Sequence, residues 1–263
     1  MRQEKRFHSK PKSQTSWNNV AGWYDKLVGE KGSDFHQNVI LPQLTEMMQP
    51  KKGEKIIDIA CGQGFLCRHL ASLGVDVTGV DASPKLIDLA RKHPKQLSNI
   101  KYIVSDAAFI NDIPKGTFDA ATCILSLQNM ESLGQVIREM SRVIKTGGHI
   151  YLVINHPSFR IPRQSGWGFD EKRKLQYRRI DSYLSEQKIP IQMHPGAKPN
   201  EYTWSFHRPL QSYFEALHKN GLAVEQLTEW SSHRKSLPGK TQKTEDRARE
   251  EIPLFLAMAA IKL

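Results

Sequence analysis

The sequence predicts an α/β protein with a mostly parallel, doubly wound sheet. Three observations carry this. Ile56-Ile57-Asp58-Ile59 is a β-branched apolar run that enters a glycine turn, Ala60-Cys61-Gly62-Gln63-Gly64. A helical pattern, Phe65 to Leu73, follows at once. Further strand-length apolar runs at Val75–Val80, Ile100–Val104, Phe118–Leu125 and His149–Ile154 alternate with helical stretches, as parallel βαβ units require.

The glycine turn defines a ligand site. Gly62 and Gly64 let the backbone turn tightly and approach a ligand with no Cβ in the way. The free N–H groups of the following helix face the same crevice. Two details bear on the ligand. Cys67 stands where the third glycine of a dinucleotide fingerprint would fall, so NAD-type binding, the competing reading, fits poorly. Asp58 lies inside the strand, where a buried carboxylate needs a partner and would repel a pyrophosphate. Asp81 ends the second strand, placed to accept both hydroxyls of a ribose.

D-x-A-C-G-x-G at Asp58–Gly64, followed by a strand ending in Asp81, resembles the class I S-adenosylmethionine (SAM)-dependent methyltransferases, in the branch of small-molecule and quinone-type enzymes. The resemblance is specific over Lys55 to Pro157 and looser beyond. It implies a Rossmann-like, doubly wound seven-stranded sheet whose last strand is antiparallel, with N-terminal helices and a lid insertion. It implies SAM as cofactor, S-adenosylhomocysteine as product and no metal. Carried onto this chain, the cofactor-binding set is Tyr24, Asp58, Ala60, Cys61, Gly62, Gly64, Asp81, Ala82, Asp106, Ala107, Leu125 and Ser126. Within it, Tyr24 of Trp23-Tyr24-Asp25 covers the site, or is simply a packed aromatic. Asp106 accepts from an adenine amino group and Ala107 reads the ring, unless Asp106 only caps a turn. Lys145-Thr146 stands where the family commonly has Lys-Pro.

Composition bounds the alternatives. A chain of 263 residues, 39% hydrophobic and 25% charged, reads as one globular domain with additions. The expected division is residues 1–50 as an arm and helices over the site, and 51–263 as the methyltransferase domain, with a substrate-lid insertion at about 156–200. The apolar run Ile252–Ile261 is far shorter than a membrane span. The charged start shows no signal peptide, so the expected location is cytoplasmic. Cys61, Cys67 and Cys123 read as small buried residues in a reducing compartment. The formal charge of +11 favours acidic partners, so nucleic acid is admitted as a partner without being favoured.

In chain order, residues 1–15 are expected to form a flexible arm. Ser16–Val28 and Val39–Met48 carry the apolar spacing of amphipathic helices. Ser83 caps the helix after the second strand, with Pro84 at its first position. Ser126 to Met130 lies at the carboxyl end of the fourth strand, where ligands bind in open α/β sheets. Gln128 and Asn129 there either orient a substrate or cap a helix. The N-P-P-Y type motif of amino-nucleobase methylases is absent. Glu131–Ile144 reads as a helix stopped by Lys145-Thr-Gly-Gly148. After Asn155-His156-Pro157 comes a long stretch mixing aromatics with arginines, including Phe159, Arg160, Trp167, Arg178 and Tyr183. Read as a loop, it should roof the substrate side. Glu201–His207 is a short strand with Tyr202, Trp204 and Phe206 on one face, Pro209–Asn220 a helix and Leu222–Trp230 a strand. Ser231–Glu250 is a charged loop, and Ile252–Ile261 the closing strand.

Methyl transfer needs mainly in-line alignment, and a base only where the acceptor must lose a proton. His156 is the candidate general base; the alternative is a structural histidine holding the turn before Pro157. Arg208 either pairs with an anionic acceptor or braces the insertion. His194 and His233 sit in polar loops. Three functions follow. The first is a SAM-dependent methyltransferase acting on O, N or C of a small, aromatic or anionic acceptor. The second is an RNA methyltransferase, suggested by charge and the Arg/Tyr-rich insertion. The third is a SAM-binding partner subunit without turnover.

Overall fold

A computed structural model describes residues 17–93, 97–192 and 202–263. The expected arm at residues 1–15 and His194 lie outside the described residues.

The first half of the chain lays down the crevice. α1 (Trp17–Val28) is followed by a π-helical turn, His36–Ile40, that runs directly into α2 (Leu41–Met48). Then come β1 (Lys55–Ile59), α3 (Phe65–Ser72), β2 (Asp76–Asp81), α4 (Pro84–Lys92), β3 (Ile100–Val104) and β4 (Phe118–Ile124). Ser83 caps α4, its hydroxyl accepting from the Leu86 N–H, with Pro84 in the first turn. α5 (Leu133–Val143) leads into β5 (Ile144–Asn155). The Lys145-Thr-Gly-Gly148 stop therefore belongs to an early start of the strand.

The second half departs from expectation in two places. Of the expected insertion, the described residues 156–192 are not an irregular loop. They build β6 (Ser165–Asp170) and β7 (Leu175–Ile180), an antiparallel hairpin, and β8 (Gln187–Gln192), which pairs antiparallel with β9 (Tyr202–His207). Alternation in these segments was masked because the β6–β7 sheet has no buried face that would demand an apolar stripe, and the buried positions of β8–β9 include the polar Thr203, Ser205 and His207. After α6 (Leu210–Lys219) and β10 (Leu222–Trp230), the charged stretch predicted as a loop contains α7 (Gln242–Glu251), most of whose residues are not buried. Its pattern is helical in propensity but nearly devoid of core positions, so periodicity is silent. β11 (Phe255–Lys262) closes the sheet.

The sheet has seven strands in the order β10-β11-β5-β4-β1-β2-β3. β1 pairs parallel with β2 and β4, while β11 runs antiparallel to both β5 and β10. The order reverses between β1 and β4, and this switch point opens the crevice.

Strand periodicity divides the core in two. Ile57, Ala121, Leu152 and Met258 face α5 and α6 through Ile137, Met140 and Leu217. Their neighbours Ile56, Ala120, Val153 and Ala257 face Leu44 of α2, Leu66 and Leu70 of α3 and Ile87 of α4. Successive side chains point to opposite faces, so a strand buried on both sides must be apolar throughout. The buried part of β1, residues 56–59, is apolar except at Asp58.

Candidate functional site

The crevice is built from the strand ends upward. β1 leaves the sheet through Ala60 and Gly62, both in the left-handed region with φ of 58°. Gly64 follows at φ 82°. A Cβ on Gly64 would stand 2.2 Å from the Tyr102 hydroxyl, so only glycine fits. A Cβ on Gly62 would come within 3.2 Å of the Tyr24 ring.

Asp81 fixes the turn from the neighbouring strand. Its Oδ2 accepts the Gly62 N–H at 2.9 Å and its Oδ1 the Ser83 N–H at 2.8 Å. Burial raises its pKa, and these two N–H groups oppose the rise. Each oxygen keeps a lone pair for a ligand. Tyr24 of α1 closes over this carboxylate, and its pKa is raised by burial and then by the Asp81 charge. Ring edges tie Tyr24 to Trp17 at 5.5 Å between centroids.

These groups line a cavity of about 560 Å³. Of the predicted residues, Tyr24, Ala60, Gly62, Asp81, Ala82, Asp106, Ala107, Leu125 and Ser126 are brought together on its wall. Asp106 Oδ1 accepts from the Ala108 N–H at 2.9 Å, the geometry of a turn cap that leaves the second oxygen available. Leu125 takes φ 51° and donates its N–H to the Val153 carbonyl at 2.7 Å. Ser126 donates to the Ile124 carbonyl at 2.9 Å.

Asp58, Cys61 and Gly64 do not reach that wall. Asp58 is fully covered, with Oδ1 accepting from Thr122 Oγ1 at 2.7 Å and Oδ2 from Cys67 Sγ at 3.4 Å. Thr122 is its in-register partner on β4. The carboxyl expected to face a cation is therefore satisfied inside the sheet, and burial pushes its pKa up to about 7. Cys61 is buried in the core cluster that holds Cys67.

His156 lies off the cavity wall. Its Nε2 meets Glu229 Oε1 at 2.7 Å, its Nδ1 accepts the Ser158 N–H at 3.2 Å, and its ring packs at a tilt against Phe159. Both nitrogens are engaged at the β5–β10 edge, away from the cavity wall. A base would need one of them free toward an acceptor. The Ser158 contact is the one a histidine holding the turn would make. Arg208 likewise braces, donating to the carbonyls of Met130 at 2.9 Å and Glu131 at 2.6 Å. His233 bonds Asp34 at 3.1 Å.

The sequence missed the outer wall. Trp17, Phe109, Met130, Glu131, Lys188, Trp204 and Phe206 complete the cavity. The β8–β9 hairpin supplies the last three, with Lys188 opposite Phe206 in register. Lys188 Nζ lies 3.1 Å from Glu131 Oε1 and 5.1 Å from the Trp204 ring centroid. The alternating Tyr202-Thr-Trp204-Ser-Phe206 was the available signal. By contrast, the β6–β7 hairpin, expected to roof the substrate side, adds nothing to this wall. Among the described residues no group of three His, Cys, Asp or Glu could hold a metal, and no helix is long and apolar enough to cross a membrane.

With this geometry in view, comparisons with known proteins are decisive for the family. Residues 57–152 match the family described as a methyltransferase domain. An S-adenosylmethionine-dependent methyltransferase from Mesorhizobium loti superposes with a TM-score of 0.67 at 29% identity, over 84% of this chain and 96% of that one. Residues 57–152 of the chain thus carry a methyltransferase domain of the SAM-dependent type. A SAM-dependent methyltransferase from Aquifex aeolicus, at 13% identity and a TM-score of 0.58 over 92% of this chain and 98% of its own, shares the fold. The ubiquinone biosynthesis O-methyltransferase of Xanthomonas oryzae pv. oryzae is 34% identical over 101 residues, covering 38% of this chain and 42% of that protein. That of Shewanella pealeana is 31% identical over 100 residues, again 38% and 42%. The chain thus spans under half the length of these curated relatives.

Proposed function

We propose that the protein binds SAM in this crevice and moves its methyl group to an O, N or C atom of a small-molecule acceptor. The observation that carries the reading is Asp81: a buried carboxylate, pinned by two backbone N–H groups, presenting its remaining lone pairs to a cavity of about 560 Å³.

The cavity's chemistry fits the cofactor. Asp81, Asp106 and Glu131 line it against Lys188, which is already paired with Glu131. That balance suits an ammonium and a sulfonium and opposes a pyrophosphate. SAM supplies an activated methyl group on a good leaving group. In this reading Asp81 holds the ribose hydroxyls, Asp106 and Ala107 meet the adenine, and Ala60, Gly62, Leu125 and Ser126 lie along the remainder. Tyr24 and Trp17 cover the site. Asp58 acts one layer behind, holding the β1 end through Thr122 and Cys67.

Acceptor choice is assigned to the outer wall. Phe109, Trp204 and Phe206 offer apolar faces, and Lys188 a cation beside them. These suit a planar or aromatic acceptor with anionic character. The similar proteins are named ubiquinone biosynthesis O-methyltransferases, which is in keeping with a small-molecule acceptor. No described titratable group is assigned as general base, and alignment then supplies the rate. The division into residues 1–50, a domain at 51–263 and its covering hairpins belongs to the same reading. So does a cytoplasmic location, which three buried free cysteines support. RNA methylation and a non-catalytic role rest on charge and binding competence alone and are not favoured.

The test is a calorimetric titration with SAM, S-adenosylhomocysteine and NAD, repeated on Asp81→Ala. Binding of the adenosyl ligands that is lost in the variant supports the site. Preference for NAD, or no binding, removes it. Turnover of SAM against a panel of phenolic and quinol acceptors then tests the acceptor class.

A further inference from the structure

The β6–β7 hairpin leaves a second cavity, of about 200 Å³, bounded by Phe159, Arg160, Trp167, Arg178 and the Ile252–Leu254 approach to β11. It shares no lining residue with the cofactor crevice. For scale, an apolar cavity of about 150 Å³ accommodates benzene, so this one has room for a substituted ring.

Its two cations are held but not neutralised. Arg178 is locked: Nε donates to the Phe159 carbonyl at 2.7 Å, Nη2 to Ser165 Oγ at 2.9 Å, and the guanidinium lies 5.1 Å over the Trp167 ring. Arg160 lies 5.4 Å over the Phe255 ring. That contact occupies one guanidinium face and leaves the N–H edge, and among the described residues that edge meets no acceptor. No carboxylate of the described residues forms an ion pair with either arginine. The contrast is Arg142, half-buried like them, whose guanidinium is answered by Glu139 and the carbonyls of Ile110 and Ile113.

Two guanidiniums at one cavity with no carboxylate partner among the described residues are costly, because each is partly desolvated beside a like charge. The Arg160 pKa is lowered by burial and then by the Arg178 charge. An anion between them would relieve both effects, and a guanidinium's planar N–H fork matches a carboxylate or phosphate. Trp167 and Phe159 supply apolar faces for whatever carries the anion.

We propose that the pocket between the β6–β7 hairpin and the start of β11 is a second ligand site, taking a small oxyanion carried on an apolar or aromatic group, with Arg160 and Arg178 as its anion clamp. It stands independently of the methyl-transfer reading.

The experiment is a calorimetric titration of the full chain with phenyl phosphate, benzoate and the neutral benzyl alcohol, in saturating S-adenosylhomocysteine so that the crevice is filled. Wild type should bind both anions saturably and the alcohol at least about tenfold more weakly, the worth of one charge-assisted contact. Arg160→Gln should weaken anion binding by about tenfold or more while leaving S-adenosylhomocysteine affinity unchanged. Because the Arg160 guanidinium makes no hydrogen bond among the described residues, this variant removes none of theirs. Should it nevertheless fail to fold, Trp167→Ala carries the same test through the ring wall. No saturable anion binding, equal binding of the alcohol, or undiminished affinity in the variants would overturn the proposal. A chain that ignores S-adenosylhomocysteine yet binds the anions through Arg160 would sink the cofactor reading and leave this site standing.

Discussion

The Asp81 carboxylate accepts the Gly62 N–H at 2.9 Å, joining the end of β2 to the turn that leaves β1. One carboxylate thereby shapes the glycine turn and faces the proposed ribose position, so ligand affinity and turn geometry are coupled through a single side chain.

Asp81→Asn keeps the size and one acceptor oxygen but loses the charge. It should cost S-adenosylhomocysteine about tenfold or more in affinity, with a smaller loss from the turn itself. Calorimetry and thermal melts on the same samples separate the two. Equal affinity in wild type and variant would remove Asp81 from the ligand contact.

Asp58 gives a pH signature. Burial pushes its pKa up to about 7, so the folded chain keeps a proton that the unfolded chain releases in the ordinary carboxylate range. Its stabilising contribution is therefore fully present below that range and is lost as pH rises through about 7. The slope from this one group reaches at most about 1.4 kcal/mol per pH unit. Asp58→Asn, which cannot ionise, should flatten the dependence. Urea denaturation between the two limits is the measurement, and parallel curves for the two proteins would refute it.

Gly64 and Tyr102 form a steric pair. Gly64→Ala should destabilise by about 1–2 kcal/mol from the left-handed backbone, before the clash with the Tyr102 hydroxyl is added. That hydroxyl is buried with no hydrogen-bond partner among the described residues, so Tyr102→Phe should be neutral or stabilising. It should also soften the Gly64→Ala penalty. A double-mutant cycle with no coupling would contradict this.

His156→Gln separates a base from a structural histidine. Loss of the Ser158 N–H acceptor and the Phe159 contact should lower stability by on the order of 1 kcal/mol. Methyl-transfer kcat, and the shape of its pH profile, should stay as in wild type. A collapse of kcat with unchanged stability would restore the catalytic reading.

Trp204→Ala should raise the acceptor KM by about tenfold, the worth of a stacked ring, and leave S-adenosylhomocysteine affinity unchanged. Lys188→Met should act selectively on anionic acceptors. Parallel losses for cofactor and acceptor would place both residues in general packing instead.

The cofactor half was readable from the chain because its constraints are local. The apolar strand Ile56–Ile59, the positive φ at Gly62 and Gly64, and the Ser83-Pro84 cap each leave a residue-type signature within a few positions. What failed depends on where side chains point after the sheet is assembled. Asp58 became an internal group because β4 set Thr122 beside it in register. His156 turned to Glu229 because β10 passes its edge.

The sequence by itself determined the doubly wound sheet, the glycine crevice and the acid that faces it. Only the tertiary structure decided that Trp204 and Phe206 line the outer wall of the crevice, that Trp167 and Arg178 bound a separate cavity, and that α7 exists at all. The physical reason is burial. A segment buried on a fixed face must carry a periodic apolar pattern, whereas a hairpin or helix lying on the surface is held by a few distant contacts that leave no period in the chain.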